Sequence, residues 1–178
     1  MKMSDSEKLI ALMLCDIYEK LGVDGDIDAK FVSTSISNDM LWGLKWEYSF
    51  ALNGPTSEPP EVKETVDILT MWRDLEYSYN ELSPSDKADV DSKLGPHNKV
   101  EFPGFDGNHE PHHAITRYLV NDLERFTELE GRNINSHMTS VPMYKRMLEE
   151  YKNQTKKNPG VYSLDKDQII EIMSAKAA

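Results

Sequence analysis

The chain has 178 residues, enough for one domain with a sizeable core and too few to require two. It carries 31 acidic against 20 basic residues, a net charge of −11, which disfavours a nucleic-acid partner because neutralising phosphates takes a concentrated basic face. The single cysteine, Cys15, excludes an intramolecular disulfide and a cysteine-based metal cluster within one chain.

The N-terminal stretch "MKMSDSEK" has acids where a signal peptide needs a basic region, so the expected compartment is the cytoplasm. Ser4 or Ser6 can cap a first helix that runs to about Leu21. Its run "LIALMLC" is too short to span a bilayer, and no membrane partner is expected. Cys15 at its end reads as a buried thiol. Leu9, Ile10, Leu12, Met13, Leu14 and Ile17 cover more than one stripe of this helix. A helix apolar on most sides is buried, or is pressed between its own domain and a neighbouring subunit.

Residues 28–52 read as one broken helix or two. Trp42, Trp46 and Phe50 recur every four positions, and Leu41, Leu44 and Tyr48 make a second face, a pattern of core aromatics. "NGPTSEPP" (53–60) is a loop by its turn chemistry, and Pro60 fits the first turn of the next helix. From Glu61 to Leu82 the positions Val62, Val66, Leu69, Trp72, Leu75, Tyr79 and Leu82 step by three and four, widened by Ile68 and Met71. This helix is expected to be central.

Residues 83–107 allow a short helical turn at 84–94, followed by a long Pro/Gly-rich loop at about 95–108. Phe102 and Phe105 are the expected pins of that loop to the body. A helix is expected from about Pro111 to Leu129, lined by Ile115, Leu119, Leu123, Phe126 and Leu129. "EGRNINSHMTS" ends it. Another helix starts near Ser140, with Pro142 in its first turn and Met143, Met147, Leu148 and Tyr151 inward. After "KKNPG", Ser163 is expected to cap a final short helix carrying Leu164, Ile169, Ile172 and Met173. No segment alternates with period two, so the class is all-α, a multihelical single domain over residues 1–178.

The string His109-Glu110-Pro111-His112-His113 matches H-E-x-x-H, in which two histidines one helical turn apart face one zinc ion. Pro111 stands third in it, and proline costs ~3 kcal/mol inside a helix but is comfortable at its start. The preceding "GFDGN" has no helical face. A helix beginning at Pro111 leaves His109 outside, and the required geometry is not supplied. The i, i+3 pair Glu110/His113 resembles half of a di-iron site, but no second E-x-x-H exists to complete it. Phosphate-binding and nucleophile-elbow motifs are absent, and neither a cofactor nor a metal is expected. The five basic residues between Lys145 and Lys157 read as a solvated helix face, or as a contact with an acidic neighbouring subunit.

The residues Phe102, Gly104, Phe105, Asp106 and Glu110 form the one motif not explained as helical core. Asp106 is expected to cap or brace the helix starting near Pro111. The strings "VDILTMWRDLEYSYNEL" (66–82) and "FPGFDG" (102–107), with Asn135 and "YKRML" (144–148), resemble the bacterial YfbU family. "YSLDKDQIIEI" (162–172) fits its C-terminal end. The similarity covers residue 60 to the end well and the first 60 residues loosely. The resemblance implies a small, cytosolic, bacterial, all-helical protein prone to self-assembly, with no established activity. It also implies that the Gly-Phe-Asp and the glutamate at Glu110 are shared, while His109, His112 and His113 are a departure.

The leading expectation is therefore a non-enzymatic helical homo-oligomer acting through protein contacts. A metal-dependent hydrolase using residues 109–113 is the alternative. A transcription-associated DNA-binding protein, from the short helix after Ser163, is a second one.

Overall fold

The structure is a computed structural model that describes residues 2–52, 54, 58–157 and 163–177. Among them the chain folds as α-helices with no strand: α1 (Asp5–Leu21), α2 (Ala29–Ser37), α3 (Leu41–Glu47), α4 (Pro60–Glu81), α5 (Pro84–Leu94), α6 (Pro111–Asn121), α7 (Val141–Lys157) and α8 (Lys166–Ser174). No helix among the described residues is long and apolar enough to cross a membrane. Two compact units result, residues 1–59 with 118–125 and residues 60–117 with 126–178.

In the first unit, α1 carries both of its stops in its own sequence. The Ser4 hydroxyl accepts the Glu7 amide while the Glu7 carboxylate accepts the Ser4 amide at 2.7 Å, a reciprocal capping box. Gly22, at φ 60°, closes the other end in the left-handed conformation. Ala11, Leu12, Cys15 and Tyr18 point inward, and α1 packs along α2. Burial, with the nearby Glu19 and Asp16, pushes the Cys15 thiol up from its ordinary range.

The 28–52 region is two helices, separated by Asp39 at φ 56°. Phe31, Trp42, Tyr48 and Tyr118 share a core: Phe31 stacks on Tyr118 at 6.0 Å, and Trp42 meets it edge-on at 5.3 Å. Tyr118 lies so close to α3 that a Cβ on Gly43 would fall 2.2 Å from its hydroxyl oxygen. That hydroxyl shares a 2.6 Å hydrogen bond with buried Ser35. The expected four-residue ladder stops at Trp46. Phe50 lies beyond α3 and is exposed, because the helix unwinds at Tyr48. Of the loop expected at 53–60, residues 53 and 55–57 lie outside the described residues.

In the second unit α4 is central, as its periodicity predicts. Val62, Ile68, Leu69, Met71, Trp72 and Leu75 are essentially fully buried, with Tyr144 and Met147 of α7 and Ile169 and Ile172 of α8. The buried face is not wholly apolar. Thr65 returns its hydroxyl to the Glu61 carbonyl, and Ser78 accepts the Leu164 amide at 2.9 Å. These two hydroxyls thus enter the core with a partner, whereas the buried Trp72 Nε1 has none among the described residues.

Three boundaries differ from expectation. The turn at 84–94 is a full helix, because Ser83 caps it onto the Asp86 amide and Pro84 occupies its first position. The expected helix 111–129 ends at Asn121. Glu124 and Phe126 then adopt positive φ, and a 3-10 turn spans Thr127–Leu129. Leu123, Phe126 and Leu129 are buried nonetheless, so the apolar spacing is real but is carried by turns. Arg73 holds Phe126 there, its guanidinium 4.2 Å from the ring centre, and pairs with Glu128. Finally, Asp165 and not Ser163 caps α8, through a capping box with Gln168.

Candidate functional site

Residues 95–110, between α5 and α6, carry no helix, and within them the "FPGFDG" stretch is fixed on three sides. On the α4 side, the Phe102 amide donates to Glu76 Oε1 at 2.6 Å. Arg132 grips Glu76 with two bonds of 2.9 Å and donates to the Phe102 carbonyl at 3.3 Å. The Glu76 carboxylate holds the Arg132 guanidinium above its ordinary range, against the opposing effect of burial. A planar fork on a carboxylate is an arrangement that lysine could not reproduce.

The second side is the segment 133–137. Phe105 donates to the Ile134 carbonyl and accepts from Ser136, both at 3.0 Å, as an isolated parallel bridge. Asn135 Oδ1 accepts the amides of Gly107 and His137. Gly104 is obligatory here: its φ is +96°, and a Cβ would fall 2.2 Å from the Ile134 carbonyl.

The third side is α7. The Tyr144 hydroxyl donates to the Gly104 carbonyl at 2.7 Å, and its ring meets Phe105 edge-on at 5.5 Å and Trp72 at 5.8 Å. Burial pushes the Tyr144 phenol well above its ordinary range. Glu110 completes the attachment. Its carboxylate accepts the amides of Ser140 and Val141 at 2.7 Å each, the Ser140 hydroxyl at 2.8 Å and the Asp106 amide at 2.8 Å. Burial would raise this carboxyl, but the four donors prevail and hold it below its ordinary value. Glu110 stands directly before α6 in the chain. The structure uses it to cap a different helix, α7, whose exposed amides and dipole favour a carboxylate.

Asp106 behaves differently from a helix cap. Its Oδ1 accepts the Asn108 amide at 2.9 Å and its Oδ2 pairs with His109 Nδ1 at 2.7 Å, while its carbonyl accepts the Glu110 amide. It braces the turn that leads into α6 and touches no amide of α6 with its side chain. The Asn108 amide and His109 hold its carboxyl below the usual range.

The H-E-x-x-H residues diverge. α6 begins at Pro111, leaving His109 in the preceding turn on Asp106. Glu110 is committed to α7. His112 is buried and bonds Glu64 at 2.9 Å, which Lys145 also meets at 2.8 Å. Among the described residues no three His, Cys, Asp or Glu side chains are arranged to hold a metal ion.

The structure therefore brings Phe102, Gly104, Phe105, Asp106 and Glu110 into one buried cluster, with polar groups satisfied by protein partners. Sequence reasoning missed Glu76, Arg132 and Ser140. Nothing in their local sequence marks them, because each acts across a gap of 26 to 56 residues.

A helical body that locks one buried aromatic loop against a long central helix defines a class held together by its interior. The YfbU domain family matches residues 1–175, and the chain belongs to that family. The stretches that carry the resemblance, on α4, in the loop, at Asn135 and on α7, meet at this cluster.

Proposed function

We propose that this YfbU-family protein is a non-catalytic, cytoplasmic helical protein that assembles with copies of itself through α1 and acts through protein contacts. One observation carries the reading. Leu9, Ile10, Met13, Leu14, Ile17 and Leu21 of α1 are all 51–72% exposed. At 3.6 residues per turn they form one stripe, opposite the face that packs on α2. Val23 and Ile27 extend it. Exposed apolar patches on the order of several hundred Å² mark interaction surfaces.

A second copy is the occupant that the shape of the stripe favours. It runs along α1 from Leu9 to Leu21, with no charged residue between Leu9 and Cys15. Antiparallel apposition of two α1 helices about a two-fold axis lays each stripe along the same stripe of the other copy, a self-complementary contact. Fully burying a leucine or isoleucine contributes about 1.5–3 kcal/mol, so six half-exposed side chains per copy supply a substantial driving force. Several features weigh against nucleic acid as the partner. The net charge is −11, and the outward residues Asp167 and Glu171 of α8 are acidic.

Light scattering coupled to size exclusion tests the assembly. An oligomer at micromolar concentration is expected, and Ile10→Asp with Leu14→Asp is expected to give a folded monomer. A wild-type monomer across that range would sink the proposal.

A further inference from the structure

Against the outer side of Phe102, the second unit holds a cavity of about 480 Å³, within the range of small-molecule sites. Pro96, Phe102 and Pro103 give it apolar walls, and Lys99, Lys176 and His97 line it as well. Its one carboxylate, Glu101, lies 3.9 Å from Arg132. In a protein of net charge −11, this is a local reversal of sign.

Lys176 is placed, not trailing. Arg146 of α7 donates to the carbonyls of Ala175 and Lys176, fixing the turn after α8. The Lys176 ammonium then sits 5.0 Å from the centre of the Trp72 ring. Among the described residues it makes no ion pair or hydrogen bond. Every other strongly held lysine of this unit that meets a carboxylate, such as Lys145, Lys152 or Lys166, lies on the outside with its counter-charge. Burial alone pulls the Lys176 amine down to about 8. A partly buried cation with no counter-charge among the described residues is costly unless something anionic meets it.

We propose that this cavity binds a small organic anion, its carboxylate or phosphate head on Lys176 and Lys99 and its apolar part against Phe102 and the two prolines. The anion favours the charged form of Lys176, so binding and protonation are coupled. Arg146 acts as a positioning residue through the backbone.

The site is tested on the whole protein labelled with ¹³Cε-lysine, with the Lys176 resonance assigned by its loss in Lys176→Met. Benzoate is titrated in one arm and inorganic phosphate in the other, at ionic strength held constant with chloride. A saturable change is expected, with the Lys176 titration midpoint raised by about one pH unit at saturation, a tenfold preference of the anion for the charged amine. Saturation at lower benzoate assigns a carboxylate ligand, and at lower phosphate a phosphate ester. Lys176→Met is expected to abolish binding as read at other lining residues and Lys99→Met to weaken it several-fold. Lys152→Met, in an exposed ion pair, leaves it unchanged. The proposal is overturned if neither anion saturates, if chloride acts as well as both (an adventitious ion only), or if Lys176→Met still binds.

Discussion

Glu110 and Val141 are joined by a 2.7 Å hydrogen bond from the first amide of α7 to a carboxylate 31 residues earlier in the chain. The same carboxylate takes three further donors, so α7 begins where Glu110 is held. Glu110→Ala strands buried amides and is expected to destabilise the protein by roughly 2–4 kcal/mol, since leaving buried donors unsatisfied is the expensive case. Glu110→Gln keeps one accepting oxygen but turns an NH2 toward a donor, and falls between. Chemical denaturation with a helical signal measures both.

The acid limb follows from the same carboxylate. Its folded value is depressed below the ordinary 4.5, so its contribution is present above that pH and is lost as pH falls through the folded value. Glu110→Gln is expected to flatten the fall of stability below about pH 4.5. An unchanged pH profile would contradict the assignment.

Gly104→Ala is expected to be among the most damaging single-methyl changes in the chain, at more than about 2 kcal/mol, because strain at positive φ adds to a backbone clash. Gly22 is the control. It too has positive φ, but a Cβ there meets nothing within 4 Å, so Gly22→Ala should cost only about 1 kcal/mol. Hydrogen exchange at the Phe105 amide should accelerate in the first variant and not in the second.

Asp106→Asn retains an acceptor for the Asn108 amide, whereas Asp106→Ala does not. The asparagine variant should melt close to wild type and the alanine variant measurably lower. If both melt normally while a cellular phenotype disappears, the loop has a role beyond bracing the turn.

Protein purified without a histidine tag is expected to carry no stoichiometric zinc, and His109→Ala with His113→Ala should leave its metal content unchanged. Elemental analysis decides this. A one-to-one zinc content that the double variant abolishes would revive the hydrolase reading.

The legible parts of the fold were those set by local chemistry. The α4 face from Val62 to Leu75, Ser4 before α1 and Pro111 at the start of α6 all act within a turn or two of themselves. Thr65 and Ser78 were invisible as core residues, since a hydroxyl enters a core only when a partner waits there, and Ser78 waits for Leu164. The spacing from Leu119 to Leu129 signalled burial correctly and helix wrongly. Periodicity reports which side chains go inside, and positive φ at Glu124 and Phe126 lets turns satisfy the same demand. Of the loop cluster, the pins Phe102 and Phe105 could be read from their type. The grip of Arg132 on Glu76 could not, because a salt bridge has no sequence period.

The attachments of the "FPGFDG" loop reach mostly forward in the chain, to Asn135, Ser140 and Tyr144, over 28, 30 and 40 residues. During synthesis, α4 and α5 can leave the ribosome and form from their own residues, but the loop then has only Glu76 and Trp72 of α4 to meet, and lacks its forward attachments until α7 has followed. For that interval Phe102 and Phe105 are bare apolar groups on a growing chain, the kind of surface that chaperones hold. The order of emergence thus makes completion of α7 the event that commits this half of the protein to its native form.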